Sequence, residues 1–249
     1  MAVSILNFAS FNMHGFNNGA NMIADLCNTH KIIALQEHWL RPDGLDKLSL
    51  INKDFSFFAS SGMEKSLSMS LLRGRPFGGV GFLFHNSLNN CLQLIGCDSS
   101  NRSIAVKCFF RSKALILFNV YLPCFENSTE YRDDICAIAG FIENVMNNES
   151  NSDVMIMGDT NFDIAPGHAG FDICNSLLIS LNMLPCDDLI LTSDNCTYQN
   201  DALHASSRID HFFISSHLKS CITHFSIIDS GINFSDHRPL SLSLSFGGG

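Results

Sequence analysis

Short apolar runs typical of β-strands recur along the whole chain, and polar residues follow most of them. The runs are Val3–Asn12, Lys31–Gln36, Phe55–Ser60, Val80–His85, Ile104–Phe110, Leu115–Tyr121, Val154–Met157, Ile209–Ser215, Thr223–Asp229 and Leu240–Phe246. Helical periodicity is found over about Asn21–His30, Thr129–Asn147 and Asp172–Leu181. Because strands outnumber helices, we predict an α/β fold in which two sheets form a sandwich covered by helices. A purely parallel, doubly wound sheet fits less well.

Length and composition predict a globular protein. The chain has 249 residues, of which 46% are hydrophobic, and this apolar content rules out an intrinsically disordered chain. Residues 1–246 contain no linker or repeat, so we expect a single domain, with Gly247–Gly249 as a linker or a cloning remnant. No apolar run is long enough to cross a membrane and no secretory signal precedes the first strand, which predicts an intracellular protein.

The charge and the cysteines exclude two further classes. A net charge of −9 argues against a protein that coats nucleic acid through bulk electrostatics. It remains compatible with carboxylates around a metal and a few basic residues that hold phosphates. The ten cysteines are scattered singly, which argues against structural zinc and predicts small buried thiols in a reducing compartment.

Polar residues at the ends of predicted strands are candidates for one shared site. They are Asn12, Glu37, Tyr121, Asp159, Asn161, Asp210, Asp236 and His237. Asp159 and Asn161 follow Gly158 directly after a strand. An aspartate can activate water or bind a metal, and an amide can donate to a phosphate oxygen. Taken alone, the same segment is equally well explained as a turn.

A second polar group, Ser235–Pro239, precedes the last predicted strand. Asp236 and His237 are neighbours on an extended chain, so their side chains face opposite ways and Asp236 does not orient the imidazole. Asp210 is the better partner because it enters from another strand, and its carboxylate would fix the tautomer of His237. Each of these residues also has an ordinary structural explanation when it is considered alone.

Taken together and in this order, the eight residues resemble the motifs of the endonuclease/exonuclease/phosphatase family of metal-dependent phosphodiesterases. The matching strings are Phe11–Gly15, Gln36–Glu37, Asn119–Pro123, Gly158–Asn161, Arg208–Asp210 and Ser235–His237. They extend over almost the whole chain. The resemblance implies a four-layered α/β sandwich of two mixed sheets flanked by helices, which agrees with the architecture that the strand pattern favours.

The resemblance also implies a role for each residue and a divalent cation, Mg²⁺ or alternatively Mn²⁺. It implies that Glu37, Asn12 and Asp236 bind the metal and that Asp159 activates the water. Asn161 and His237 would contact the scissile phosphate, and Asp210 would orient His237. Tyr121 would stabilise the transition state or the leaving group. The metal would neutralise charge on the phosphorus and on the departing oxygen.

Two features indicate which branch of this family the chain resembles most. Apurinic endonucleases have an acidic residue where this chain has His14, whereas the endonuclease domains of LINE-type (non-LTR) retrotransposons lack that acid. The strings Gln36–Trp39 and Ser207–His211 also look most like these retrotransposon domains. Inositol 5-phosphatases share Ser235–Pro239, but they carry a Trp-Cys-Asp-Arg string in place of Ser-Arg-Ile-Asp.

The resemblance therefore predicts an endonuclease that nicks double-stranded DNA in the nucleus and leaves a 3′-hydroxyl. A reverse transcriptase domain of the same polyprotein, absent from this chain, would extend that end. We expect the isolated domain to be monomeric and to bind no membrane. Two alternatives stay open: a phosphoesterase acting on abasic DNA or a phosphoinositide, and an inactive binding module of the same fold.

Two loops are candidates for DNA contact. The first, Leu72–Gly79, contains a close pair of basic residues, Arg73 and Arg75, in a glycine-rich segment. The second, Gln199–Ser206, resembles the variable hairpin that retrotransposon endonucleases lay along DNA. Its candidate contact residues, with one that follows it, are Asn200, His204 and Arg208. Phosphate contacts would position the duplex, and loop shape would select the site.

Overall fold

The computed structural model describes residues 4–69, 74–110, 113–124, 126, 128–164, 167–186, 196–200, 202 and 204–246. Its strands are β1 Ser4–Asn12, β2 Ile32–Gln36, β3 Phe55–Ser60, β4 Val80–His85, β5 Leu92–Cys97, β6 Ser103–Phe110, β7 Lys113–Tyr121, β8 Asp153–Asp159, β9 Met183–Pro185, β10 Tyr198–Asn200, β11 Ala205–Ser207, β12 Asp210–Ser215, β13 Ile222–Ile227 and β14 Leu240–Phe246. The α-helices are α1 Phe16–Leu26, α2 Glu64–Ser68, α3 Thr129–Asn148 and α4 Ala169–Ser180. Short 3₁₀-helices span Pro42–Leu50, Asn86–Leu88 and Ser216–Cys221.

Two six-stranded sheets form the centre of the molecule. The first has the order β13-β14-β1-β2-β4-β3 and the second β5-β6-β7-β8-β12-β9, while β10 and β11 form a separate hairpin. Each sheet is mixed, because β1 is parallel to β2 and β7 is parallel to β8, whereas the other pairs are antiparallel. The predicted sandwich of two mixed sheets is therefore confirmed.

Alternating apolar residues along the strands create three apolar layers. One lies between the sheets and includes Phe8 and Ala34 from the first sheet and Leu117 from the second. A second lies between the second sheet and helices α3 and α4. The third joins the outer face of the first sheet to α1 and the 3₁₀-helix that contains Leu48. The fold thus has four layers: helix, sheet, sheet and helix.

Strand register brings the functional ends of the strands together. In the second sheet, Tyr121 lies beside Asp159, and Asp159 lies beside Asp210, so these three residues form one row across β7, β8 and β12. In the first sheet, β1 and β2 end beside each other at Asn12 and Gln36. Both rows lie at the same edge of the sandwich, where side chains of the two sheets contact each other.

Helix α1 begins at Phe16, five residues before the predicted start at Asn21. Gly19 lies inside the helix instead of breaking it. A Cβ at this position would lie 2.6 Å from the Cβ of Met13, so the glycine allows the helix to pack closely against the end of β1. The prediction erred because a glycine that serves close packing looks like a turn residue in the sequence.

The expectation of buried thiols is wrong for most of the cysteines. All ten are free, but only Cys108 and Cys186 are buried, while Cys124 and Cys136 are exposed and the others are half-buried. Cys136, for example, is on an exposed face of α3, between the apolar positions that face the sheet. None of the helices in the described part of the chain is long and apolar enough to cross a membrane.

Candidate active site

Three almost completely buried ionisable side chains form the centre of the site. His237 Nδ1 donates to Asp210 Oδ2 over 2.9 Å, and His237 Nε2 lies 3.8 Å from Asp159 Oδ2. Ligand atoms of the three residues all lie within 4.8 Å of one another. The structure therefore contains the expected pairing of Asp210 with His237, and it adds Asp159 on the other side of the ring.

Burial and proximity shift the pKa values of this group. Burial, together with the negative charge of Asp210, raises the pKa of Asp159. Burial by itself would lower the pKa of His237, but the charges of Asp210 and Asp159 and the hydrogen bond to Asp210 outweigh it and raise that pKa. The group therefore retains a proton at neutral pH, and the imidazolium can donate through both nitrogens.

Asn12 connects the buried group to the carboxylate of Glu37. Its Nδ2 donates to Asp159 Oδ2 over 2.8 Å and to Glu37 Oε1 over 2.9 Å, while its Oδ1 accepts from the backbone N–H of His14. The side chain is fully buried. In this orientation Asn12 holds two carboxylates side by side, and its amide would have to turn over to offer an oxygen to a metal.

Four side chains form a more open part of the site. Trp39 Nε1 donates to Glu37 Oε2 over 3.0 Å, so each oxygen of Glu37 accepts one hydrogen bond. His14 Nδ1 donates to Asp236 Oδ1 over 2.5 Å, and the His14 ring contacts Trp39 edge-on with its centroid 4.9 Å away. The His14 and Asp236 side chains are 42% and 25% exposed.

A buried amide pair joins the two sheets directly behind these residues. Gln36 Nε2 donates to Asn119 Oδ1 over 2.6 Å, and Asn119 Nδ2 donates to the backbone oxygens of Leu35 and Gly81 over 2.8 and 2.7 Å. Gln36 precedes Glu37, and Asn119 is two residues before Tyr121. These bonds fix the end of β2 relative to the end of β7, and with them the spacing between Glu37 and the second sheet.

Asn161 and Tyr121 border the buried group on the side of β7. Asn161 Nδ2 donates to Leu122 O over 2.7 Å, and the Asn161 backbone N–H donates to Asp159 Oδ1 over 2.9 Å. The guanidinium of Arg102 lies 5.1 Å from the centre of the Tyr121 ring. Burial, followed by the charges of Glu37 and Asp159, raises the pKa of Tyr121, which therefore remains a neutral hydroxyl.

The backbone is unusual at several of these positions. His14, Glu37, Trp39 and Asn161 have φ values of 45°, 51°, 55° and 54°, in the left-handed region that non-glycine residues seldom adopt. At Gly158 a Cβ would lie 2.0 Å from the carbonyl oxygen of Val120, so only glycine fits next to Asp159. Such conformations turn each side chain away from its sheet and into the site.

The β10–β11 hairpin covers the buried group from the side. The Tyr198 ring lies 5.0 Å from the His237 ring, and Thr197 Oγ1 accepts from the backbone N–H of Asp210 over 3.1 Å. The backbone N–H of Gln199 donates to Asp236 O over 2.9 Å. The hairpin therefore holds the positions of Asp210, Asp236 and His237 as well as bordering the site.

The donor atoms fit a divalent cation in two neighbouring places. Glu37 and Asp236 present partly exposed carboxylate oxygens, which suit a hard cation such as Mg²⁺. Asp159, Asp210 and His237 form the one group of three carboxylate or imidazole ligands that the described residues bring within 4.8 Å. His237 could bind a cation there only after losing the proton on Nε2, because an imidazolium has no free lone pair. The assignment of Glu37, Asn12 and Asp236 as the metal ligands remains a prediction.

The predicted DNA-contact residues fall into different environments. Arg73 lies outside the described residues, whereas Arg75 is exposed on the loop that leads to β4. In the hairpin, His204 is exposed, while Asn200 is half-buried and its Nδ2 donates to the Tyr198 hydroxyl. Arg208 is half-buried, and its backbone N–H donates to Asp163 Oδ1 over 2.8 Å.

Sequence reasoning missed four residues that the structure places at the site. His14 was noted only as a departure from an acidic residue, and Trp39 only as part of a string, yet they contact Asp236 and Glu37. Asn119 was only part of a motif, and Arg102 carried no signal. A clue was available for Trp39, since it is the only tryptophan of the chain and follows Glu37 by two residues.

The comparisons with known proteins identify the family and the fold. A model of the endonuclease/exonuclease/phosphatase family matches residues 9–237, a range that includes all eight predicted site residues. No curated protein matches the sequence.

Several solved structures have the same fold. An apurinic endonuclease from Leishmania major superposes with a TM-score of 0.79 at 13% identity, over 98% of this chain and 88% of that chain. A 3′ phosphatase from Neisseria, bound to a product DNA hairpin, superposes with a TM-score of 0.72 at 15% identity, over 97% of this chain and 100% of that chain. The endonuclease domain of TRAS1, a telomere-specific non-LTR retrotransposon, superposes with a TM-score of 0.66 at 15% identity, over 97% of this chain and 98% of that chain.

Proposed function

This chain belongs to the endonuclease/exonuclease/phosphatase family, and from that premise we propose that it is a divalent-metal-dependent endonuclease that nicks double-stranded DNA. The proposed product has a 3′-hydroxyl that primes reverse transcription by a LINE-type retrotransposon. The strings Gln36–Trp39 and Ser207–His211 and the absence of an acid at His14 support the finer assignment.

One observation carries the proposal of phosphodiester hydrolysis. A buried imidazolium between two carboxylates lies next to a third, more open carboxylate, and Asn12 donates to a carboxylate of each part. A phosphate needs cationic and hydrogen-bonding groups around its oxygens, and the attacking water needs a base. The site offers both within a few ångströms, and its polar groups have well-defined partners.

The chain's own residues then have the following proposed functions. His237, oriented by Asp210, donates a hydrogen bond to a non-bridging phosphate oxygen, and Asn161 donates to another. Asp159 takes the proton of the attacking water, and Asn12 keeps its carboxylate in position through a hydrogen bond. Tyr121, as a neutral hydroxyl, donates to the phosphate or to the leaving oxygen. A cation bound at Glu37 and Asp236 would neutralise charge on the phosphate.

Outside the catalytic group, we propose that the exposed Arg75 and His204, with Asn200 and Arg208 of the hairpin region, contact the DNA backbone. Contacts of this kind set the orientation of the duplex and contribute a salt-dependent part of the affinity. We further propose that the protein acts in the nucleus, as a monomer, with a reverse transcriptase domain of its polyprotein as its partner.

Nicking of supercoiled plasmid at low ionic strength tests the proposal. We expect Mg²⁺-dependent conversion to open circles, and we expect a polymerase to extend the nicks without end repair. An oligonucleotide with one abasic site and a phosphoinositide are assayed in parallel. Nicks that resist extension, or a strong preference for the abasic or lipid substrate, would move the protein to another branch of the family. Absence of hydrolysis of all three would favour the binding module.

A further inference from the structure

We propose that Phe234, supported by Ile232, is an apolar wedge that contacts the sugars and bases of the duplex beside the scissile phosphate. The inference rests on the proposed function, because it assumes that the substrate is double-stranded DNA. It concerns the part of the loop between β13 and β14 that precedes the motif string Ser235–His237 and that lies in neither of the two predicted DNA loops.

The exposure of this loop is the first observation. Phe234 is 67% exposed and Ile232 is 42% exposed, although most large apolar side chains of the protein are buried. Phe234 is two residues before Asp236 and three before His237 in the chain. An exposed aromatic ring at the edge of a polar site is available to a ligand, whereas it contributes little to the stability of the fold.

Hydrogen bonds hold this loop in a defined position. Asn233 Nδ2 donates to His237 O over 2.7 Å, and the Ser235 backbone N–H donates to Asn233 Oδ1 over 3.0 Å. Ser235 Oγ donates to Asn12 O over 2.8 Å. Residues on both sides of Phe234 are thus tied to residues of the active site, so the ring is presented at a fixed place beside it.

The charge of the surroundings indicates which part of DNA the loop contacts. The loop and the hairpin border a groove of about 470 Å³ whose lining includes Gln199, Asn200, Asp229, Phe234 and Asp236. Arg238 lies on the hairpin side of this groove, where it donates to Gln199 Oε1 over 3.2 Å. Residues 230–236 contain no lysine, arginine or histidine, so the tip of the loop that carries Phe234 has no cation for a phosphate. Its contact with DNA is therefore apolar, and the apolar surfaces of a duplex are its sugars and base faces.

This contact has a consequence for specificity. A side chain that separates two stacked bases incurs the cost of unstacking them, and this cost is lowest at pyrimidine–purine steps such as TA and CA. Phe234 therefore favours nicking next to such steps. The preference arises from the deformability of DNA, without a hydrogen bond to any base.

Three variants on two DNA substrates test the wedge. Phe234→Ala removes the ring, Phe234→Leu retains part of the apolar surface, and Phe109→Ala is the matched control. Phe109 is 49% exposed and is near the end of β6 that lies away from the site. The substrates are a fully paired duplex with one TA step and the same duplex with a mismatch at that step, which is already partly unstacked.

We expect Phe234→Ala to lower the rate on the paired duplex by about tenfold, or about 1.4 kcal/mol, since the contact between the aromatic ring and the bases is lost. Phe234→Leu should fall between it and the wild type, and Phe109→Ala should equal the wild type. On the mismatched duplex the loss should be much smaller. With 2-aminopurine at the TA step and Ca²⁺ replacing Mg²⁺, wild-type protein should increase the fluorescence and Phe234→Ala should not.

The same assays distinguish an error in the proposed role of Phe234 from an error in the proposed function. If the wild type nicks paired DNA and Phe234→Ala nicks it equally well, with an equal 2-aminopurine signal, the wedge is wrong and the endonuclease assignment stands. An equal loss on both duplexes would also contradict the wedge, because it would indicate a damaged active site. If the wild type nicks no duplex, the proposed function itself fails.

Discussion

The site contains two histidine–aspartate pairs that have similar geometry and very different surroundings. His237 donates to Asp210 over 2.9 Å, and the two side chains are 6% and 2% exposed. His14 donates to Asp236 over 2.5 Å, and these side chains are 42% and 25% exposed. We call them the buried pair and the open pair. The two pairs therefore differ in their access to water much more than in their contacts.

The difference in burial separates two chemical tasks. In the buried pair, charges interact in a medium of low effective dielectric constant, so Asp210 and Asp159 raise the pKa of His237 despite its burial. Around the open pair, water and salt screen the same kind of interaction. We infer that the buried pair holds a protonated imidazole for the phosphate, and that the open pair keeps a carboxylate accessible to a cation.

The largest expected effect tests the buried pair. Replacing His237 by Ala, or Asp210 by Asn, should lower the nicking rate roughly 10³-fold to 10⁴-fold, because an imidazole without its carboxylate loses its orientation and tautomer. The double variant should be little worse than either single one. Single-turnover rates on one oligonucleotide duplex measure all three. A double variant whose loss equals the product of the single losses would show that the two residues act independently.

The next effect tests the carboxylate beside the open pair. Glu37→Gln retains the shape and the hydrogen bond from Trp39, but it removes the charge, and the Mg²⁺-dependent rate should fall roughly 10²-fold to 10³-fold. Thermal unfolding should show that the fold is unchanged. Glu143→Gln, on an exposed face of α3, is the control. Full activity of a folded Glu37→Gln variant would rule out Glu37 as a metal ligand.

A smaller effect comes from replacing the histidine of the open pair. His14→Asp places a second carboxylate beside Asp236, so binding of Mg²⁺ should become tighter and the half-saturating Mg²⁺ concentration should fall several-fold. Without metal the two carboxylates repel each other, and the Tm should decrease. A titration of the nicking rate against Mg²⁺ measures the first effect. Melting curves without Mg²⁺ and at saturating Mg²⁺ measure the second. Identical titrations for wild type and variant would place the cation away from the open pair.

The smallest effect concerns stability and pH. Because the folded state raises the pKa of Asp159, the folded protein binds a proton more tightly than the unfolded chain. The resulting contribution to stability is present at acidic pH and is lost as the pH rises through the folded pKa. Asp159→Asn removes this loss of stability at high pH. The Tm of the variant minus the Tm of the wild type should therefore be more positive at pH 8 than at pH 5. Glu37→Gln is the comparison variant. A Tm difference between Asp159→Asn and wild type that becomes more negative as the pH rises would contradict the raised pKa of Asp159.

Strand periodicity was sufficient to predict most of the fold. The segments Phe55–Ser60, Val80–His85 and Leu240–Phe246 were predicted with their observed boundaries, since each alternates or concentrates apolar residues that face a buried layer. Strand β5 was missed because its middle residues are exposed. The three-residue strands β10 and β11 are too short and too polar to show a periodicity, and only the family resemblance indicated a hairpin at Gln199–Ser206.

For the site, sequence order could identify residue types but few contacts. Asp210 was correctly paired with His237 because alternation excluded the neighbouring Asp236. Contacts between residues far apart in the chain, such as His14 with Asp236, depend on which strands become neighbours, and local patterns carry no information about this. The assignment of individual roles stays a prediction, since it depends on a bound cation and a substrate.

The pairing of β1 with β14 has a consequence for how the protein is made. Asn12 and Ser235 are 223 positions apart in the chain, yet a hydrogen bond joins them, and β14 lies directly against β1 in the sheet. On the ribosome, β1 emerges well before β14 and has no partner on this side until β14 has left the exit tunnel. An unfinished polypeptide lacks Asp236 and His237 and has no complete site. Translation itself therefore delays activity until β14 has been synthesised.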